Sequence, residues 1–251
     1  MRASFDQYSQ AYPNARLERV DGICLVRLHT DGGPLVWGDG PHTDLGYLFE
    51  DIGRDPENRI VILTGTGAEF IAKLDSSWVG GMDPHKWDKI FQHARRLLLN
   101  LLDIEVPVIA AINGPATVHA EIGLLADIVL ASDTATFRDA PHFRYGTVPG
   151  DGTHIVWPLL LGPNRGRYFL LTGQRLSALE AKDLGVVSEV LPAAALLDRA
   201  WEVARDLARQ PDMALRYARV CLTQSIKRMM VDDLGFGLAL EGLGAYQSWP
   251  K

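Results

Sequence analysis

Apolar positions near the start of the chain alternate before they run together. Between residues 16 and 29, Leu17, Val20, Ile23, Leu25, Val26 and Leu28 surround the turn pair Asp21-Gly22, a pattern that predicts a hairpin opening a sheet. After a Gly- and Pro-rich loop from Asp31 to Pro41, Leu45, Leu48, Phe49 and Ile52 recur at helical spacing, and Gly53 closes the segment. Ile60-Val61-Ile62-Leu63-Thr64-Gly65 then reads as a short buried strand ended by glycine.

The same order repeats twice. A helix from about Pro84 to Asp103 precedes a strand from Val108 to Ile112, which ends at Asn113-Gly114-Pro115. A short helix near Glu121 to Asp127 precedes the strand Ile128 to Ala131, with Thr136-Phe137 beyond it. These spacings predict stacked ββα units with parallel strands. From about Pro163 the periodicity becomes helical, over 165–172, 177–184, 193–210, 212–231 and 233–247, with one strand at Val186 to Val190. No linker or low-complexity tract interrupts residues 1–251, so the expectation is one α/β domain with a core over about 15–190 and a helical tail over about 191–251.

Composition narrows the function. The 251 residues are 47% hydrophobic and 22% charged, which suits a packed soluble domain and excludes a disordered or collagen-like chain. A net charge of −6 with no Lys/Arg stripe argues against nucleic acid as a partner. Cys24 and Cys221 each sit in an apolar run and read as small core residues of a reducing compartment. The first twenty residues lack the apolar stretch of a signal peptide, and the run Val106 to Ile112 is too short to cross a bilayer. The expectation is a cytoplasmic protein without a membrane partner.

No phosphate-binding loop, dinucleotide fingerprint or paired-cysteine motif is present, so no cofactor is expected. Titratable residues instead interrupt three turns, where backbone amides point outward and pockets form. They are Ala68 to Asp75, Asn113 to Glu121 with His119, and Ala140-Pro141-His142-Phe143 leading to Val148-Pro149-Gly150-Asp151-Gly152-Thr153.

Those stretches carry a resemblance. Phe70 to Asp75, the Asn113-Gly114-Pro115-Ala116 turn with Asp127 to Ala131, and Val148-Pro149-Gly150 look like the crotonase (enoyl-CoA hydratase/isomerase) superfamily, in order over roughly residues 15 to 250. The resemblance implies a spiral of ββα units and a C-terminal helical oligomerisation region, assembled as a homotrimer or a dimer of trimers. Within the superfamily the chain is most similar to β-diketone hydrolases of the 6-oxocamphor hydrolase type, through Leu35-Val36-Trp37, Pro141-His142-Phe143, Val156-Trp157-Pro158 and Asn164 to Gln174.

Two departures from the CoA-using pattern point to the chemistry. Hydratases place consecutive glycines after the Asn-Gly turn, where their amides hold a thioester oxyanion; this sequence has Thr117-Val118-His119. Where hydratases carry a catalytic glutamate, this sequence has His142. An imidazole with the ordinary pKa of about 6.5 is mostly neutral at pH 7 and can accept a proton from water. The resemblance implies that Asp151 lies on the other ring nitrogen, fixing the tautomer and stabilising the imidazolium. It also places His119, His42 and Trp37 at the pocket as donors to developing oxyanions, with Glu241 orienting or protonating one of them.

Each residue also has a plain alternative. Asp151 can be a helix N-cap before Gly152-Thr153, and His119 a structural turn residue. His42 falls in the Gly/Pro loop, Trp37 can be core, and Glu241 can be a surface charge or an intersubunit contact. His29, His85, His93 and His154 have no motif support and read as structural or solvent-facing. No metal is expected, because no His/carboxylate pair has close helical spacing. The expected function is hydrolysis of a carbon–carbon bond in a cyclic or bicyclic 1,3-diketone, the partner being a small alicyclic diketone. A CoA-thioester hydratase, isomerase or hydrolase, and a non-catalytic binding protein of the same fold, are the alternatives.

Overall fold

The computed structural model describes residues 4–249. After a single helical turn, α1 (Phe5–Tyr8), strands β1 (Ala15–Val20) and β2 (Ile23–Leu28) pair antiparallel across Asp21 and Gly22. Both turn residues have positive φ, 50° and 78°, which is the two-residue hairpin that an Asp-Gly pair favours. From β2 the sheet continues in parallel through β4 (Ile60–Thr64), β6 (Val108–Ile112), β7 (Ile128–Ser132) and β10 (Glu189–Leu191). Every residue of β4 and β6 is buried, as the unbroken apolar runs require of strands covered on both faces.

A second layer makes each unit a ββα turn of a spiral. Strand β3 (Leu35–Trp37) pairs in parallel with β5 (Ile71–Leu74), Ala116 bridges Ile71 and Phe137, and β8 (Thr136–Phe137) pairs with β9 (Leu176–Ser177). The helices that complete the units are α2 (Asp39–Arg54), α3 (Pro84–Asp103), α4 (Glu121–Leu124) and α5 (Thr153–Leu161). Several features differ from the sequence expectation. Ile71 to Leu74 is a strand rather than part of a turn, because its backbone completes the second layer. Helix α2 starts at Asp39, which moves His42 from a loop into a buried first turn. Helix α5 precedes the segment where helices were expected; its apolar residues give no contrasting polar face, and Pro158 reads as a breaker.

Beyond α6 (Pro163–Thr172), α7 (Ala178–Asp183) and α8 (Ala193–Leu207), the two helices expected over 212–231 and 233–247 are one, α9 (Asp212–Ser248). Asp232 and Asp233 are exposed there and do not interrupt it. Gly237 continues the helix for a packing reason: a Cβ on it would stand 2.5 Å from the Gly150 carbonyl oxygen, and a Cβ on Gly150 only 2.1 Å from that of Gly237. The loop before α5 therefore lies directly on α9, which brings Asp151 beside Glu241, one helical turn further on.

The other end of α9 is fixed by Arg219, which is 1% exposed. Its guanidinium donates to the carbonyls of Ile104 (2.5 Å) and Leu101 (3.1 Å) at the C-terminal end of α3, and pairs with Asp127, whose Oδ2 accepts from the Val108 amide at 2.7 Å. These bonds tie α9 to the second and third units. Among the described residues, no helix is long and apolar enough to cross a membrane.

Candidate active site

A cavity of about 520 Å³ opens between the second strand layer, α3 and the end of α9. Its walls are largely apolar, with Trp78, Trp87, Ile90, Val118, Leu238 and Trp249 among them, while Trp37, His42, His119, His142, Asp151 and Glu241 line it together. Every site residue singled out in the sequence therefore meets at one cavity.

Trp37 ends β3 and is fully buried, and its indole Nε1 has no hydrogen-bond partner. The His119 ring lies over it with centroids 4.1 Å apart, and His42 meets it edge-on at 5.9 Å. His119 follows the Asn-Gly-Pro turn with φ of 46°, a left-handed conformation that non-glycine residues adopt seldom and at a cost of about 1–3 kcal/mol. The amides of Thr117 and Val118 just before it both donate to the Ile71 carbonyl, at 2.9 and 3.1 Å. The two amides at this turn are thus spent on the fold rather than presented to a substrate oxygen.

Around Asp151 the charged groups form a chain. Its Oδ2 is 3.3 Å from His119 Nδ1 and 3.3 Å from His142 Nε2. Glu241 Oε1 stands 3.5 Å from the same His142 Nε2, and its Oε2 has no partner. Two further carboxylates close the ends: Glu121 Oε1 lies 2.6 Å from His119 Nδ1, and Asp139 Oδ1 lies 2.5 Å from His142 Nδ1. Asp151 does not cap α5 through its side chain, since Gly152 occupies that position at φ of 104°; its Oδ1 instead accepts from the Thr153 hydroxyl at 3.2 Å. Glu241 is buried, not a surface charge.

The expected place of Asp151, behind His142, is taken by Asp139, and Asp151 lies on the opposite nitrogen together with Glu241. Sequence reasoning missed Asp139 and Glu121, although each is close in sequence to a recognised histidine, three positions before His142 and two after His119. It also missed the tryptophans of the wall, for which spacing offers no signal.

Burial and charge set the protonation pattern. Burial alone would lower the His142 pKa, but the Asp151 and Asp139 carboxylates outweigh it and hold the imidazole well above its ordinary value. Burial pulls the same way on His119, where Glu121 and Asp151 outweigh it and raise the value. For Asp151 burial favours the neutral acid, yet the two imidazoles keep it ionised, well below the usual carboxylate range. Burial and the Asp151 charge push Glu241 up to about 7, and burial raises Glu121. His42, buried and facing His119 and His93, falls to about 3 and is neutral. The expectation of an unperturbed base is thus replaced by a clamped imidazole next to an acid that titrates near neutrality.

The fold also gathers donors that close spacing in sequence did not. His119, Glu121 and Asp151, and likewise His142, Asp151 and Glu241, have ligand atoms within 4.8 Å of one another. Most of these imidazole and carboxylate atoms stand at separations of 2.6–3.5 Å from each other, a chain suited to sharing protons.

A family model for enoyl-CoA hydratase/isomerase matches residues 22–237. The chain belongs to that family, the crotonase superfamily. Among family members, the short-chain-enoyl-CoA hydratase of Clostridium acetobutylicum is 29% identical over 91% of this chain and 86% of its own length. The carnitinyl-CoA dehydratase of Citrobacter koseri is 33% identical over 68% of this chain, which spans 66% of that enzyme. Among crotonase folds of known structure, an enoyl-CoA hydratase/isomerase from Mycobacterium paratuberculosis superposes with a TM-score of 0.83 at 26% identity, covering 93% of this chain and 94% of the other. Much nearer is a β-diketone hydrolase from the cyanobacterium Anabaena sp. PCC 7120, bound to (S)-3-oxocyclohexyl acetic acid: 50% identity and a TM-score of 0.94, over 96% of this chain and 97% of that one.

Proposed function

We propose that this crotonase-family enzyme hydrolyses a carbon–carbon bond in a cyclic or bicyclic 1,3-diketone, giving a keto acid by a retro-Claisen cleavage without a cofactor. The observation that carries the reading is the division of the cavity. A proton-transfer cluster of His142, Asp151 and Glu241 lines it together with an unpaired buried indole donor, Trp37 Nε1, and the amides of Thr117 and Val118 are occupied. Similarity to the Anabaena β-diketone hydrolase supports the same substrate class.

Neutral His142 takes a proton from water at Nε2 while Nδ1–H donates to Asp139. The oxygen of that water bonds to one carbonyl carbon, and its π electrons move to the carbonyl oxygen. Collapse of this tetrahedral adduct breaks the bond to the central carbon and leaves a carboxylic acid and an enolate on the second carbonyl. Glu241, protonated around neutrality, delivers a proton to the carbanion carbon, and the His142 proton returns the carboxylate to its starting state. The sum is diketone plus water.

Negative charge appears on two substrate oxygens in turn, and preorganised donors for them are worth about 3–4 kcal/mol each in a dry site. His119, its proton affinity raised by Glu121 and Asp151 against the effect of burial, and Trp37 Nε1–H supply such donors, and neutral His42 completes their group. A substrate with its own second carbonyl delocalises the carbanion unaided and needs no thioester. A homotrimer or dimer of trimers in the cytoplasm is part of the same proposal.

The deciding experiment incubates the metal-free protein with a bicyclic 1,3-diketone in the absence of CoA and resolves the products by mass. A single chiral product heavier by one water supports the reading. Saturable CoA binding with hydration of an enoyl thioester, and no diketone product, overturns it.

A further inference from the structure

We infer that Asp139 is a positioning residue for His142, holding Nδ1–H so that Nε2, on the side of Asp151 and Glu241, is the nitrogen that loses and takes the proton; the inference rests on the proposed role of His142 as base. Asp139 is 5% exposed, with Oδ1 2.5 Å from His142 Nδ1 and Oδ2 unpaired. A buried carboxylate with one oxygen unsatisfied is costly to keep for packing alone, since an apolar residue would fill the space without the desolvation penalty.

The backbone around it is fixed from both sides. Arg138 N–H donates to the Ala116 carbonyl and Ala140 N–H to that of Thr117, at 3.4 and 3.0 Å, so the segment is tied to the turn that bears His119. Tyr145 and Thr147 amides donate to the His142 carbonyl at 2.8 and 3.3 Å. The ring thus has a carboxylate at each end, and turning it over would exchange Nδ1 for a carbon and break the 2.5 Å contact. A carboxylate accepts only, so both nitrogens of the imidazolium donate, Nδ1 to Asp139 at 2.5 Å and Nε2 to Asp151 at 3.3 Å; when one proton leaves, the closer contact keeps the other on Nδ1, whereas an amide in place of Asp139 can donate to Nδ1 and so stabilise the opposite tautomer.

The test combines ring nitrogen spectra with kinetics. In ¹⁵N spectra of histidine-labelled protein at a pH where His142 is neutral, its resonances assigned by difference from His142→Gln, the wild type is expected to carry the proton on Nδ1. In Asp139→Asn the proton moves to Nε2, and kcat for diketone hydrolysis falls roughly 10²- to 10⁴-fold with KM changed only a few-fold. A wild-type proton on Nε2 overturns the inference even if the variant fails to fold. So does Asp139→Asn with an unchanged tautomer and kcat. Because the spectra need no substrate, a protein inactive on diketones still decides the role of Asp139, separately from the reaction.

Discussion

His142 Nε2 and Glu241 Oε1 lie 3.5 Å apart, so the imidazole whose proton affinity is raised and the carboxyl whose acidity is weakened to about 7 share one reaction space. The proposed reaction needs the first group without its proton and the second with it. The base form of His142 is lost as pH falls through its raised value, and the acid form of Glu241 is lost as pH rises through about 7. The expected kcat/KM profile is therefore a bell whose two limbs belong to the coupled cluster. Glu241→Gln, which keeps the shape but cannot supply the proton, is expected to lower kcat and flatten the alkaline limb. A retained alkaline limb in that variant removes Glu241 as the acid.

Asp151→Asn separates the electrostatic role of this residue from a capping one. Gly152 occupies the start of α5, so the variant is expected to keep its far-ultraviolet circular dichroism and its cooperative unfolding. Loss of the carboxylate removes the charge that contributes most to raising His142 and that also raises Glu241, so both limbs move to lower pH, while kcat falls roughly 10²- to 10⁴-fold. Unchanged turnover per folded molecule contradicts the assignment.

The donors to the developing oxyanions predict a split between rate and binding. Trp37→Phe keeps an aromatic ring and deletes Nε1–H; His119→Ala deletes the imidazole that lies 4.1 Å from the Trp37 ring, centroid to centroid. Both are expected to lower kcat more than they raise KM, by roughly 10²- to 10³-fold for a donor used only in the transition state. An effect confined to KM in steady-state kinetics would make these residues ground-state binders instead.

How much of this was legible in the sequence depends on the kind of contact. The strands with continuous apolar runs, β4 and β6, and the Asp21-Gly22 hairpin follow from local pattern, and the structure repeats them. Helix α5 does not, since it has no contrasting polar face. His142 stands out through departure from a family motif, but Asp151 is placed on the wrong ring nitrogen, because motif position says nothing of which side of a ring a side chain meets. Glu241 reaches the site only through the Gly150–Gly237 approach, a tertiary contact that neither glycine announces. Asp139 lies only three residues before His142, but in a turn that spacing does not say whether the two side chains meet.

The last prediction concerns the anchoring of α9, on which the position of Glu241 depends. Arg219 sits on that helix, buried, with its guanidinium bonded to the Ile104 and Leu101 carbonyls and paired with Asp127. Arg219→Met preserves much of the side-chain length but removes the donor of two carbonyls and the charge partner of Asp127, which keeps only the Val108 amide. Asp127 is exposed and keeps the Val108 amide, so the loss falls mainly on the two carbonyls, about 1–3 kcal/mol, which for a chain of this size is roughly 2–12 °C in Tm. Replacing Asp127 and Arg219 together is expected to cost less than the sum of the single changes, because neither charge is then left alone. Thermal unfolding of the two single variants and the double variant measures this coupling directly. Additive losses would mean that Arg219 holds α9 through the carbonyls alone.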